Sequence, residues 1–208
     1  YRDFSSNEVS LEYLKTHSHT FSFNHHDIFN LTQFNLSLSY DYRPNNYFQK
    51  TIINQNITVS NRFFAKISNK DYGITVSGEK YIHPLRITFQ FNSTFNISYD
   101  NNIINESDLR EVKNENLTLN FVVRRGINKR FVIENKTFYL NSNFKVKKDN
   151  LNNNFQMLTN QTKILFKSKK MIKSNLVGNF ISPNLKSNDN YFFLDYEIEF
   201  TPKNKNLT

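Results

Sequence analysis

A chain of 208 residues and 24.8 kDa is long enough to bury about two thirds of its surface, as one large β domain or two small lobes. It has no cysteine, which excludes a disulfide framework, thiolate metal sites and a cysteine nucleophile. The formal charge is +9, no stretch approaches the roughly 18 apolar residues of a membrane helix, and Tyr1-Arg2-Asp3-Phe4 is no signal peptide; without an initiator Met it points to a processed or truncated soluble chain.

In chain order, the first pattern is helical: Val9, Leu11 and Leu14 within 6–16, behind a serine cap, predict a short helix. From there period-two alternation dominates. A strand is expected at 19–24 and a stronger one at 34–42, where Phe34, Leu36, Leu38, Tyr40 and Tyr42 oppose Asn35, Ser37, Ser39 and Asp41. Weaker strands follow at 50–59, 62–68 and 73–77. Leu85, Ile87, Phe89 and Phe91 alternate with Arg86, Thr88 and Gln90, and Phe95, Ile97 and Tyr99 continue in phase, giving either one long strand or a hairpin at 92–94. Residues 100–107 read as a loop and 107–112 as a second short helix. Leu117, Leu119, Phe121 and Val123 lead into Arg124-Arg125-Gly126-Ile127-Asn128, after which Phe131 and Ile133 resume. With Gly126 and Asn128 as left-handed residues, this is a hairpin. Strands at 137–147, 163–168 and 176–181 flank a loop at 149–154. The clearest strand comes last: Phe192, Leu194, Tyr196, Ile198 and Phe200 against Phe193, Asp195, Glu197 and Glu199, closing at Pro202. Together these predict an all-β fold, an antiparallel sandwich or barrel-like sheet of about ten strands with one or two short helices. It forms a single domain over 1–208, with loops at 100–116 and 149–156 as the places where two lobes would divide.

The composition is skewed: 34 Asn, 21 Phe, 19 Lys and 11 Tyr against 4 Gly, 4 Pro, no Trp and one alanine, Ala65. Residues with AT-rich codons dominate, which reads as mutational bias, while 15% aromatic residues argue for packing rather than disorder. The composition resembles that of proteins encoded in the mitochondrial DNA of some protists, although a parasite or symbiont nuclear gene has the same look. Ten Asn-x-Ser/Thr sequons occur, at Asn30, Asn35, Asn56, Asn92, Asn96, Asn105, Asn116, Asn135, Asn160 and Asn206. Taken literally they describe a glycosylated extracellular domain. Strand alternation offers another origin, because a polar-apolar-polar strand sets Asn and Ser/Thr at i and i+2.

Charge is segregated. Residues 1–123 carry 11 Lys/Arg against 12 Asp/Glu, residues 124–173 carry 13 against 2, and residues 174–208 carry 3 against 4. The excess rests on Arg124, Arg125, Lys129 and Arg130 at the hairpin, then Lys145, Lys147 and Lys148, then Lys163, Lys167, Lys169, Lys170 and Lys173. Interleaved with Phe131, Phe138, Tyr139, Phe144 and Phe166, these suit phosphate neutralisation and base stacking, so RNA or another polyanion is the expected partner. Lysine enrichment under AT bias that merely solvates a face, or an acidic membrane surface, accounts for the same charges.

His17 and His19 share a strand face at i, i+2, and His25 and His26 follow closely enough to meet them across a hairpin, a candidate metal cluster. Asp27 is the only carboxylate nearby, no spaced ligand motif accompanies them, and surface histidines explain them better. With glycines only at Gly73, Gly78, Gly126 and Gly178, no P-loop, dinucleotide fingerprint or nucleophile elbow is possible. Glu197 and Glu199 lie about 7 Å apart on one strand face, which overlaps inverting-glycosidase spacing but is the ordinary geometry of a solvated strand. The sequence therefore predicts no catalytic residue, no cofactor and no enzyme. It predicts a non-catalytic structural component of a large assembly: first a mitochondrial ribosomal or other RNA-associated protein touching RNA through 124–173; second, a soluble accessory subunit of a respiratory membrane complex; third, a secreted glycosylated adhesion or coat protein. Other protein subunits are partners in the first two.

Overall fold

The computed structural model describes residues 2–7, 13–54, 57–104, 109–128, 130–168, 172–187 and 189–200. Their fold is almost entirely β. Twelve strands follow in chain order: β1 (Arg2–Asn7), β2 (His17–Asp27), β3 (Thr32–Arg43), β4 (Asn46–Asn54), β5 (Ile57–Ala65), β6 (Asn69–Ile82), β7 (Ile87–Ile104), β8 (Arg110–Asn128), β9 (Phe131–Val146), β10 (Leu151–Lys167), β11 (Ile172–Ser182) and β12 (Tyr191–Phe200). A single 3-10 turn, His83–Leu85, interrupts them.

The strands make one open, mainly antiparallel sheet. Its body runs β2-β3-β6-β7-β8-β9-β10-β11-β12, a meander of consecutive hairpins with one insertion between β3 and β6. At that insertion β3 changes lane. β3 ends at Arg43, opposite Asn69 where β6 begins, and the chain continues as β4 beside the far end of β7, pairing in parallel at Lys50↔Ile103 and Thr51↔Ile104. β5 returns antiparallel to β4, and β1 adds to β5 in parallel. No second layer packs on this sheet among the described residues, so a sandwich or closed barrel is not what the chain builds alone. Of the segments expected as short helices, residues 6–7 belong to β1, residues 13–16 are irregular and residues 110–112 open β8, while residues 8–12 and 107–108 lie outside the described residues. Cross-strand pairing prevails at residues 6–7 and 110–112.

Alternation decides which side of the sheet each residue occupies, and the ladder registers carry the same face from strand to strand. One row runs Phe21, Leu38, Ile74, Phe95, Leu117 across β2, β3, β6, β7 and β8. On the other face a row runs Ser22, Ser37, Thr75, Thr94, Thr118 over the same strands. This half of the sheet is apolar on one side and hydroxyl- and amide-rich on the other. At β9 the sense reverses. Leu117 is followed by Asn141 and Gln156, and Thr118 by Leu140 and Met157. Asn135, Thr137, Asn160 and Thr162 therefore continue the apolar face with a polar patch, tied together by reciprocal amide bonds between Asn135 and Asn160 at 3.0 and 3.1 Å. On β12 the first face is apolar again, with Phe192, Leu194, Tyr196, Ile198 and Phe200 in alternate positions.

Several sequence expectations resolve here. Residues 87–104 form one continuous strand rather than a hairpin at 92–94, and 50–59 divides between β4 and β5. The hairpin after Val123 forms, but Gly126 and Asn128 are not left-handed; the positive-φ residues described are Leu31, Arg86 and Asn150. The turn is instead closed by the Asn128 side-chain carbonyl, which accepts from the Arg130 and Phe131 amides at 2.8 and 2.9 Å, with a bulge between Gly126 and Asn128. Burial is correspondingly slight. Val112 and Val146, opposite one another on β8 and β9, are the fully buried apolar side chains among the described residues.

Candidate functional site

The meander sets its turns alternately at two ends of the sheet, and this divides the basic residues. The β6–β7, β8–β9 and β10–β11 turns share one end, joined by Gly126 N–H donating to the Arg86 carbonyl at 3.3 Å and Lys167 N–H donating to the Arg130 carbonyl at 2.7 Å. Arg86, Arg124, Arg125, Arg130, Lys163 and Lys167 thus form a rim along three adjacent hairpins. Lys145, Lys147 and Lys148 lie at the opposite end, about 48 Å from Phe131 along β9 at 3.4 Å per residue. Segment 124–173 is therefore two clusters. Lys129, Lys169 and Lys170 fall outside the described residues.

The two ends differ in electrostatics. Lys145 lies 3.8 Å from Glu115 and Lys147 3.7 Å from Glu111, while Arg110 pairs with Asp149 at 2.9 Å. Glu115 also grips Lys113, and that hydrogen bond, with a further one from Asn143 and the nearby Lys145, holds its carboxyl below the usual range against the opposing effect of burial. At the rim, Arg86, Arg124, Arg125, Arg130, Lys163 and Lys167 have no ion pair with a described carboxylate. Lys173 is different, donating to both oxygens of Glu199 at 3.0 and 2.9 Å. Phe166, 43% exposed and opposite Phe131, supplies an aromatic ring beside the rim; Phe138, Tyr139 and Phe144 lie farther down β9. Arg86 was not among the sequence candidates because it lies outside the basic segment. Only the hairpin register brings it in, and its left-handed φ of 53° closes the 3-10 turn.

The four histidines do not converge. His17 through His26 lie on the single edge strand β2, with no hairpin between them. His17 stacks on Tyr42 and His19 on Tyr40, whereas His25 is about 20 Å farther along. Among the described residues no group of three or more His, Cys, Asp or Glu side chains is placed to hold a metal.

The sequons follow the strand pattern. Asn35, Asn92, Asn96 and Asn116 lie on the polar face with their Ser/Thr two residues on, Asn135 and Asn160 lie in the polar patch, and Asn30 in a turn bonded to Asp27. Asn56, Asn105 and Asn206 fall outside the described residues. Glu197 and Glu199 share the β12 face carrying Asp195, one bonded by Asn175 at 3.5 Å and the other by Lys173.

The broadest surface is the apolar face itself. Phe21, Phe23, Ile74, Phe91 and Phe121 are each at least 40% exposed on it, and the β12 residues Phe192 to Phe200 on that side are 59% exposed or more. The chain matches no protein-family model, no curated protein and no solved structure.

Proposed function

We propose that the protein is a non-catalytic structural subunit of a large RNA-containing assembly, in which a neighbouring protein lays a second layer on the apolar face and RNA runs along the basic rim. One observation carries this reading: a chain of this mass folded compactly exposes about 10,200 Å², whereas this one exposes 15180 Å². The excess of about 5,000 Å² is several times the roughly 800 Å² that one partner contributes to a standard interface. Much of it is aromatic and aliphatic, which water disfavours. A sheet from a neighbour packed about 10 Å away would complete the sandwich that the alternation predicts.

RNA is supported by the rim. Four arginines and two lysines line three adjacent turns next to the exposed ring of Phe166, with Glu134, the cross-strand partner of Arg124 and Lys163, ion-paired to Lys136 instead, a combination suited to phosphate contacts and base stacking. The AT-driven composition favours an organelle with its own genome as the place. Replacing Arg124, Arg125 and Arg130 with Ser is expected to weaken RNA binding and to lower the slope of log K against log salt by about 0.7 per lost single-strand contact. In gradients of native lysate the chain should sediment with a ribonucleoprotein and shift when RNase is added. A free monomer, an RNase-insensitive membrane complex, or a secreted glycosylated form would each overturn the proposal.

A further inference from the structure

The strand β12 closes one side of the sheet, and its outer edge has no partner among the described residues. All ten of its residues are exposed. Proteins ordinarily blunt such edges with charged side chains, lysine above all, with proline, a bulge or a short strand. Tyr191–Phe200 contains no lysine or proline, and the β11–β12 ladder runs without a register shift from Ile172↔Phe200 to Ile181↔Tyr191. An edge this long, guarded only by the charges of Asp195, Glu197 and Glu199, is a template for a strand that complements them.

Charge identifies the occupant. Alternation sets Asp195, Glu197 and Glu199 in a row on one face of β12, and Phe192, Leu194, Tyr196, Ile198 and Phe200 on the other. Toward β11 only Glu199 meets a cation, Lys173, while Asp195 and Glu197 are reached by the neutral amides of Asn179 and Asn175 at 3.5 Å. A second copy of β12 paired antiparallel about Glu197 would set Glu197 against Glu197 and Asp195 against Glu199, and like charges directly opposite are destabilising. Strand β2 on the other edge carries Ser18, Thr20, Ser22, Asn24 and His26 on the corresponding face, so charge does not select a partner there.

We propose that β12 is a strand-addition site that takes an extended segment of a partner protein with Lys or Arg at alternate positions and apolar residues between them. Main-chain bonds to the edge provide affinity, the acidic row fixes register, and the apolar residues extend the face begun by Phe192 and Leu194. This goes beyond the RNA rim and is independent of what covers the apolar face.

The test uses the full chain with two synthetic ten-residue peptides, alternating Lys-Val and alternating Glu-Val, each carrying a ¹³C-labelled backbone carbonyl. The Lys peptide is expected to bind at least about tenfold more tightly, to weaken with added salt, and to shift its labelled carbonyl band to the strand position. Asp195→Lys with Glu197→Lys should reverse the preference. Asp195→Asn with Glu197→Gln, a milder pair that keeps both side-chain volumes, should abolish it. Equal binding of the two peptides, or a preference that survives either pair of substitutions, would overturn the proposal. So would protection of the 191–200 amides that rises with protein concentration, because the edge would then belong to a second copy. None of these measurements contains RNA, so their failure is separable from failure of the rim.

Discussion

The ring of Phe91 on β7 lies directly over the backbone of Gly78 on β6, so close that a Cβ on Gly78 would collide with the ring edge. The glycine is thus the counterpart of an aromatic residue rather than a turn former, and the ring covers backbone that would otherwise face water. Gly78→Ala is expected to push Phe91 off its position and cost about 1–3 kcal/mol, the range for inserting a methyl group into a filled site. In a Phe91→Ala background the same substitution should cost far less. Denaturant unfolding of the four proteins of this cycle measures the coupling, and additive effects would refute the contact.

Asn135 and Asn160 are both sequon asparagines, yet each uses both of its amide hydrogens inside the sheet. Asn135 Nδ2 donates to Asn160 Oδ1 and to Thr162 Oγ1 at 3.0 and 2.8 Å, and Asn160 Nδ2 donates to Asn135 Oδ1 and to Thr137 Oγ1 at 3.1 and 2.8 Å. A glycan replaces one of those hydrogens. Forced through a eukaryotic secretory pathway, the folded chain is expected to remain unmodified at these two positions, whatever happens at exposed Asn92 or Asn96. Peptide mapping by mass spectrometry would detect the opposite.

Asp100 lies where β6, β7 and the lane change meet, accepting from Asn69 Nδ2 at 2.7 Å. Burial, and then the nearby Asp71, raise its pKa above the usual value, against the pull of Arg43. A carboxyl whose folded pKa is raised favours the folded state while protonated, and that contribution is lost as pH rises from the unfolded value through the folded one. Asp100→Asn should therefore gain on the parent protein as pH is raised from about 4 to about 7. Melting temperatures of the two proteins that run parallel across this window would contradict the assignment.

Among the described residues the β4–β5–β1 wing joins the body through two residue pairs on β7, whereas β7 and β8 pair continuously from Ile87↔Arg125 to Asn102↔Arg110. Few shared bonds mean a low cost of local opening. Native-state hydrogen exchange should show β4 amides opening well below the global unfolding free energy, while amides near Thr94 and Thr118 exchange only with the whole sheet. Equal protection of the two regions would count against this.

Much of the fold could be read from local pattern. The alternation at Phe34–Tyr42, Ile87–Tyr99 and Phe192–Phe200 lies within β3, β7 and β12, because period two is a property of each strand by itself. What failed depends on distant pairing. Residues 6–7 open a segment with helical spacing, but they join β5 in a parallel ladder that no local window contains. The run 50–59 looks like one strand because apolar residues of β4 and β5 follow one another closely in sequence. The sandwich could not be checked against sequence at all: alternation declares that one face wants covering and is silent on whether the cover is in the same chain. The basic segment was legible as charge but not as geometry. Hairpin lengths divide Arg124 from Lys145 and recruit Arg86, and those lengths follow from register.

The reversal of polarity between β8 and β9 has a consequence for the life of a newly made copy. A sheet greasy on a single side can hide it by curling, but here β9 and β10 turn residues such as Leu140 and Met157 to the side opposite the apolar rows of β2–β8 and β12, so curling that hides one set exposes the other. Such a chain is expected to depend on its neighbours for cover. Its abundance would then follow that of its neighbours, with unpartnered copies cleared by the proteases and chaperones that survey exposed apolar surface.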